Sequence, residues 1–111
     1  MAARPLVFVG SSQGDLRQFP SAVRRVFGVA LFEAQLGGTH SIAKLLQGFP
    51  GYRVYQASEA FEGDAYRVAY TIRAETVYVL HAFKKKSTRG RATPQPDKDL
   101  IARRLKAIEA L

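Results

Sequence analysis

The chain contains no cysteine. That removes disulfide scaffolds, thiol nucleophiles and thiolate-held metals together, and it suits a reducing compartment. Histidine is nearly as scarce, with only His40 and His81, so a histidine-rich metal centre is not expected. No apolar run approaches the ~18–20 residues needed to cross a bilayer. The apolar stretch Leu6–Val9 is shorter than the ~7–15 residues of a signal-peptide core, and no cleavage motif follows it. It reads better as a first strand, and a cytoplasmic location is expected. Acids are few, nine against 17 Lys and Arg. The clustered carboxylates of a metal-dependent nuclease are missing, because Glu59, Glu62 and Asp64 gather only around one turn. There is no Gly-x-x-x-x-Gly-Lys loop for a nucleoside triphosphate and no nucleophile–base constellation of a serine hydrolase. Neither a metal nor a small-molecule cofactor is expected.

What remains is a chain of 111 residues, 47% hydrophobic and 11% aromatic. That suffices for one core without cross-links, so residues 1–111 read as a single domain. The net charge is +8 and the pI about 10.2. On so small a domain this is the electrostatic footprint of a polyanion binder. The charge is also concentrated: Lys84, Lys85, Lys86, Arg89 and Arg91 place five cations within eight residues.

Along the chain, residues 5–9 predict a strand. Ser12 followed by Asp15 resembles a capping box and predicts a short helix to about Phe19. A second helix should begin at Pro20. In it Val23, Val26, Phe27, Ala30, Leu31 and Ala34 form an amphipathic stripe that Gly37-Gly38 ends. Gly28 within it is costly for a helix and suggests a close packing contact. Residues 53–61, 65–73 and 76–84 are rich in Val, Tyr, Thr, Ile and Phe, with turns at Glu62-Gly63-Asp64 and Ala74-Glu75. They predict an antiparallel meander. The last of the three is apolar on both parities and should be central. Residues 87–96 read as loop, and a final helix from about Asp97 to Ala110 puts Ile101, Leu105 and Ile108 on one face. The expected fold is α+β, in the order β-α-α-β-β-β-α. Its small, mainly antiparallel sheet carries the helices on one face and a basic concave face opposite.

In the second meander strand, Tyr66, Val68, Tyr70 and Ile72 share one parity and Arg67, Ala69, Thr71 and Arg73 the other. The first set reads as core and the second as an open basic face. Cations for phosphates beside tyrosine rings for unstacked bases would suit single-stranded RNA. His81 shares parity with Val77, Val79 and Phe83, so it reads first as a core histidine and only second as a catalytic one.

The run Asp64-Ala-Tyr-Arg-Val-Ala-Tyr70, then Val77-Tyr-Val-Leu-His-Ala-Phe-Lys-Lys-Lys-Ser87, then Thr93-Pro before a basic amphipathic helix, resembles the RelE/ParE toxin superfamily. The branch it looks most like is that of the phage-derived, HigB-like toxins of type II toxin–antitoxin systems. The resemblance covers nearly the whole chain and rests on the ordered set of motifs. It implies a RelE-like fold and a ribosome-dependent, metal-independent mRNA endoribonuclease, neutralised by a cognate helix-turn-helix antitoxin. Its partners would be mRNA and the ribosome.

By the same resemblance, Arg67 falls on the arginine that meets the scissile phosphate, Lys84 and Lys85 on basic positions ending the last strand, and Arg53 on one early in the first. Tyr55 stands where some relatives carry a lysine base, and Gln56 where many carry Glu, so the base must lie elsewhere. The expected catalytic set is Arg67, Lys85 and Lys84, with Lys85 as base. The expected RNA or ribosome contacts are Arg53, Tyr55, Arg73, Lys86, Arg89 and Arg91. Two other readings stand beside this one: a ParE-like gyrase inhibitor, and a non-catalytic basic RNA-binding domain or phage remnant.

Overall fold

A computed structural model of the chain describes residues 2–85 and 92–111. Its elements run β1 (Leu6–Phe8), α1 (Ser12–Arg17), α2 (Ser21–Gln35), β2 (Ala43–Leu46), β3 (Val54–Phe61), β4 (Asp64–Arg73), β5 (Thr76–Lys85) and α3 (Gln95–Glu109). The strands make one open five-stranded sheet in the order β1-β5-β4-β3-β2, with β1 parallel to β5 and the other pairs antiparallel. The meander is therefore as expected; β5 is an interior strand between β1 and β4, and β4 is the central one. The turn joining β3 to β4 has two residues, Glu62-Gly63, both at positive φ (50° and 84°). That backbone twist matches a tight hairpin, and glycine supplies its second position at no steric cost.

Four expectations need correction. Strand β2 is not among the expected elements, so the order is β-α-α-β-β-β-β-α. Ala43-Lys-Leu-Leu46 has helix-forming residues and no β-branched ones, and only its pairing with β3 makes it a strand. Gly28 marks no close contact, since open space surrounds the position of a Cβ there. The helices are also not all on one face. Phe19 and the stripe of α2 (Val23, Phe27, Leu31, Ala34) pack on Tyr66, Val68, Tyr70, Val77 and Val79, whereas Ile101, Leu105 and Ile108 of α3 pack with Val54, Ala69 and Leu80. Helix α3 thus covers part of the face opposite α2, and the remainder of that face stays open.

The Ser12–Asp15 capping box is also absent. Ser11 precedes the helix and donates from Oγ to Asp15 Oδ2 (2.8 Å), while Ser12 is buried and donates to the Val79 carbonyl (3.1 Å).

One irregularity in β5 decides which of its side chains share a face with Arg67. Ala69 pairs with His81 but Tyr70 pairs with Val79, so Leu80 is an extra residue, a β-bulge. The carbonyl of Leu80 accepts a 2.7 Å hydrogen bond from Arg104 of α3. The same guanidinium lies against Gly10, where a Cβ would sit 2.8 Å from it at a φ of +57°, so a side chain there would be strained and would push the guanidinium aside.

Candidate nucleic-acid interface

The bulge reverses side-chain alternation along β5. Before it, Val77 and Val79 belong to the α2 side; after it, Ala82 does. His81 and Phe83, which share a parity with Val77 and Val79 in the sequence, are therefore turned to the α3 side. Their rings stack there at 4.6 Å. The register places His81 beside Ala69 and Phe83 beside Arg67, so the histidine lies on the face that carries the arginine. His81 is buried and hydrogen-bonded, as the core reading expects, and the bulge changes only the face on which it lies.

Arg67 is almost wholly buried, with 6% of its surface exposed. One terminal nitrogen donates to the carbonyl of Ala92 (3.3 Å). Lys85, two rows along the same face, donates from Nζ to that same oxygen (2.9 Å). A single carbonyl thus sits between the arginine and the lysine, as an anionic oxygen would. Beside it, Thr93 donates to Gln56 Oε1 (2.9 Å), and Pro94 leads into α3, so residues 92–94 form a strap across β3, β4 and β5. From the first turn of α3, Asp97 Oδ1 meets His81 Nε2 at 2.7 Å. Burial lowers the pKa of Arg67 by penalising its charge, and Asp97 partly offsets this. Beside the strap, Arg67 borders an open groove of about 450 Å³ lined also by Lys44, Leu46, Gln56 and Ser58.

The other expected site residues fall in different places. Lys84 pairs across the ladder with Tyr66, forms an ion pair with Asp64 (3.1 Å) and lies 6.0 Å from the centre of the Tyr66 ring. That is the α2 side, away from Arg67. The Asp64 partner raises the Lys84 pKa through their hydrogen bond. Tyr55 also faces α2, where it stacks on Tyr70 at 5.4 Å. Its ring is not on the face of Arg67, which corrects the idea of a tyrosine platform there. Arg53 is exposed just ahead of β3. Arg73 ends β4, six residues and so about 20 Å along the strand from Arg67. Lys86, Arg89 and Arg91 lie outside the described residues. Sequence reasoning misses Lys44, because β2 has no local signature, and Asp97, which reads only as a helix start.

Among the described residues no group of His, Asp or Glu could hold a metal ion, and no helix is long and apolar enough to cross a membrane.

The comparisons with known proteins agree on this architecture. Residues 14–106 match the family described as phage derived protein Gp49-like. The chain belongs to that family. Among solved structures, it is similar to a double arginine-to-alanine mutant of the Escherichia coli toxin RelE in the free state, with a TM-score of 0.60 and 21% identity over 96% of this chain and 98% of that one. It is also similar to the isolated E. coli RelE toxin, with a TM-score of 0.58 and 23% identity over 88% and 99% of the two chains. These likenesses show the fold. No curated protein sequence matches the chain.

Proposed function

We propose that this Gp49-like protein is the toxin of a type II toxin–antitoxin pair, a metal-independent endoribonuclease that cleaves mRNA on the ribosome and is neutralised by a helix-turn-helix antitoxin. The observation that carries this reading is the convergence of Arg67 and Lys85 on one oxygen, the Ala92 carbonyl. A phosphodiester oxygen would replace that carbonyl and bring more negative charge to two cations, one of them desolvated. Charge-assisted bonds of that kind are stronger than bonds to a neutral carbonyl.

RNA brings its own nucleophile, so the protein has little covalent chemistry to perform. The 2′-oxygen attacks the adjacent phosphorus, the bond to the 5′-oxygen breaks, and the products are a 2′,3′-cyclic phosphate and a 5′-hydroxyl. Arg67 neutralises the charge that builds on the phosphorane oxygens. Lys85, on the same face, meets the phosphate as an ammonium, and only as its neutral amine can it take the proton from the 2′-hydroxyl. Lys44, Gln56 and Ser58 line the groove along which the flanking nucleotides lie. Lys84, Arg53 and Arg73 act at a distance, by attracting the polyanion.

The test is a cell-free translation reaction with primer extension on the mRNA, beside a gyrase supercoiling assay. Cuts positioned by codon are expected. Loss of supercoiling without cuts would establish the gyrase-inhibitor reading, and neither effect would leave a non-catalytic RNA-binding domain.

A further inference from the structure

Among the described residues, three buried side-chain polar atoms have no hydrogen-bond partner: Arg67 Nε, His81 Nδ1 and the Tyr70 hydroxyl. A buried unsatisfied group costs about 1–3 kcal/mol, so each asks for an explanation. Two of the three belong to neighbouring rows of one face, since Arg67 and Ala69 are two apart on β4 and Ala69 pairs with His81. Such a pair fits a site whose missing partner is a polar ligand. Three further features converge on the histidine. A bulge turns it onto this face, Arg104 of α3 holds the carbonyl of the bulged residue, and Asp97 of α3 holds Nε2 at 2.7 Å.

We propose that His81 is the general acid of this site, delivering a proton from Nδ1 to the departing 5′-oxygen, and that Asp97 is the residue that positions it. The inference rests on the phosphodiester-cleavage reading and deepens it, because cleavage needs a proton donor as well as a base. The carboxylate of Asp97 accepts Nε2–H, which fixes the ring's orientation and leaves Nδ1 as the atom that exchanges a proton, the division of labour of a carboxylate–histidine pair. As the bond between phosphorus and the 5′-oxygen breaks, the Nδ1 proton moves to that oxygen and the imidazolium becomes neutral. Water restores the proton after the products leave. Lys85 serves the 2′-hydroxyl and His81 the 5′-oxygen, with Arg67 between them on the phosphate. The charged groups nearest the ring are Asp97 from α3, which contacts it, and Arg67 from β4, one same-face row away. A phosphate oxygen in the place of the Ala92 carbonyl would sit on the face to which both unsatisfied atoms belong.

The decisive probe is an mRNA carrying one 5′-bridging sulfur at the cleavage site, compared with the all-oxygen message in the same translating reaction. A thiolate leaves without protonation, so the sulfur substrate has no need of an acid. His81→Gln keeps an N–H for Asp97 and removes the acid. It should slow cleavage of the oxygen message by ~10²-fold or more and cut the sulfur message at nearly the wild-type rate. Asp97→Asn should lose about 10-fold on oxygen, less than His81→Gln because the acid itself remains, and recover on sulfur in the same way. Arg67→Ala should be slow on both. A His81→Gln protein that is equally impaired on both messages, or equal to wild type on both, overturns the assignment. A wild-type protein that cuts neither message overturns the RNA-cleavage reading itself. Melting curves of each variant show whether a loss on both messages comes from unfolding.

Discussion

On the α2 side of the sheet, Tyr66, Val68 and Tyr70 of β4 meet Phe19, Val23 and Phe27, and apolar contacts fill the face. On the α3 side, Arg67 of the same strand is buried but meets a backbone carbonyl, while His81 meets a carboxylate. Along β4 the side chains of both parities are buried, so burial alone does not tell the two faces of this strand apart. What differs is satisfaction. The α2 side is closed by apolar packing, whereas on the α3 side the part around Arg67, beside the apolar seat of α3, is held by polar contacts that a charged ligand could exchange for better ones. A buried cation bonded to a neutral carbonyl at 3.3 Å is a poor endpoint for folding and a good starting point for binding phosphate.

The contrast is open to test from both sides, and the largest effect should come from the closed face. Phe27→Ala removes a fully buried ring and should lower stability by ~3–5 kcal/mol, read by urea or thermal unfolding. Activity per folded molecule should be unchanged. A variant that keeps its stability would mean that α2 is not the packing partner described.

Next in size is a comparison of adjacent lysines. Lys85→Ala, on the face of Arg67, should cost ~10²-fold in cleavage rate. Lys84→Ala, on the other face beside Asp64, should change the rate by less than about two-fold, as expected of an exposed, screened pair. Equal losses at both positions would erase the distinction between the faces.

Part of this is legible in the sequence, and the reason differs from element to element. The α2 stripe and the three long strands repeat one pattern over eight or more residues, so local periodicity specifies them. Arg67 is legible because β4 alternates without interruption from Asp64 to Arg73. His81 is misplaced by parity because one extra residue, Leu80, reverses the alternation of β5. Nothing near Leu80 in the sequence announces the bulge, which is held from α3 by Arg104, 24 positions away. Tyr55 is misplaced through its position in the family pattern, although its parity, opposite to that of Val54 and Gln56, places it away from the groove. Strand β2, and with it Lys44, is hidden because four residues with helix propensity become a strand only through pairing with β3. Asp97 looks like an ordinary acid in a helix's first turn. Its role depends on a partner 16 residues earlier.

The smallest predicted effect concerns the third unsatisfied atom, the hydroxyl of Tyr70 on the closed face. No ligand is expected there, so this atom should simply cost stability. Tyr70→Phe should raise stability by ~1 kcal/mol and leave cleavage unchanged. Burial first, then Tyr55 and Glu33, push the Tyr70 pKa up from 10.0 to about 12. Because the folded value is the higher one, the neutral phenol's contribution is intact below pH 10 and is lost as pH rises from about 10 to 12. The Phe variant should show a shallower loss of stability across that window, followed by chemical denaturation at successive pH values.

The central claim is that the α3 face, through Arg67, binds and activates a phosphodiester. Its most direct test is Arg67→Ala, assayed for mRNA cleavage by primer extension in a translating extract and for stability by thermal melting of the same preparation. The account predicts a loss of ~10²–10³-fold in cleavage with a melting temperature within a few degrees of wild type. The strap would lose a single 3.3 Å bond, and the α2 core would be untouched. A variant that melts like wild type and cuts mRNA at the wild-type rate would contradict it.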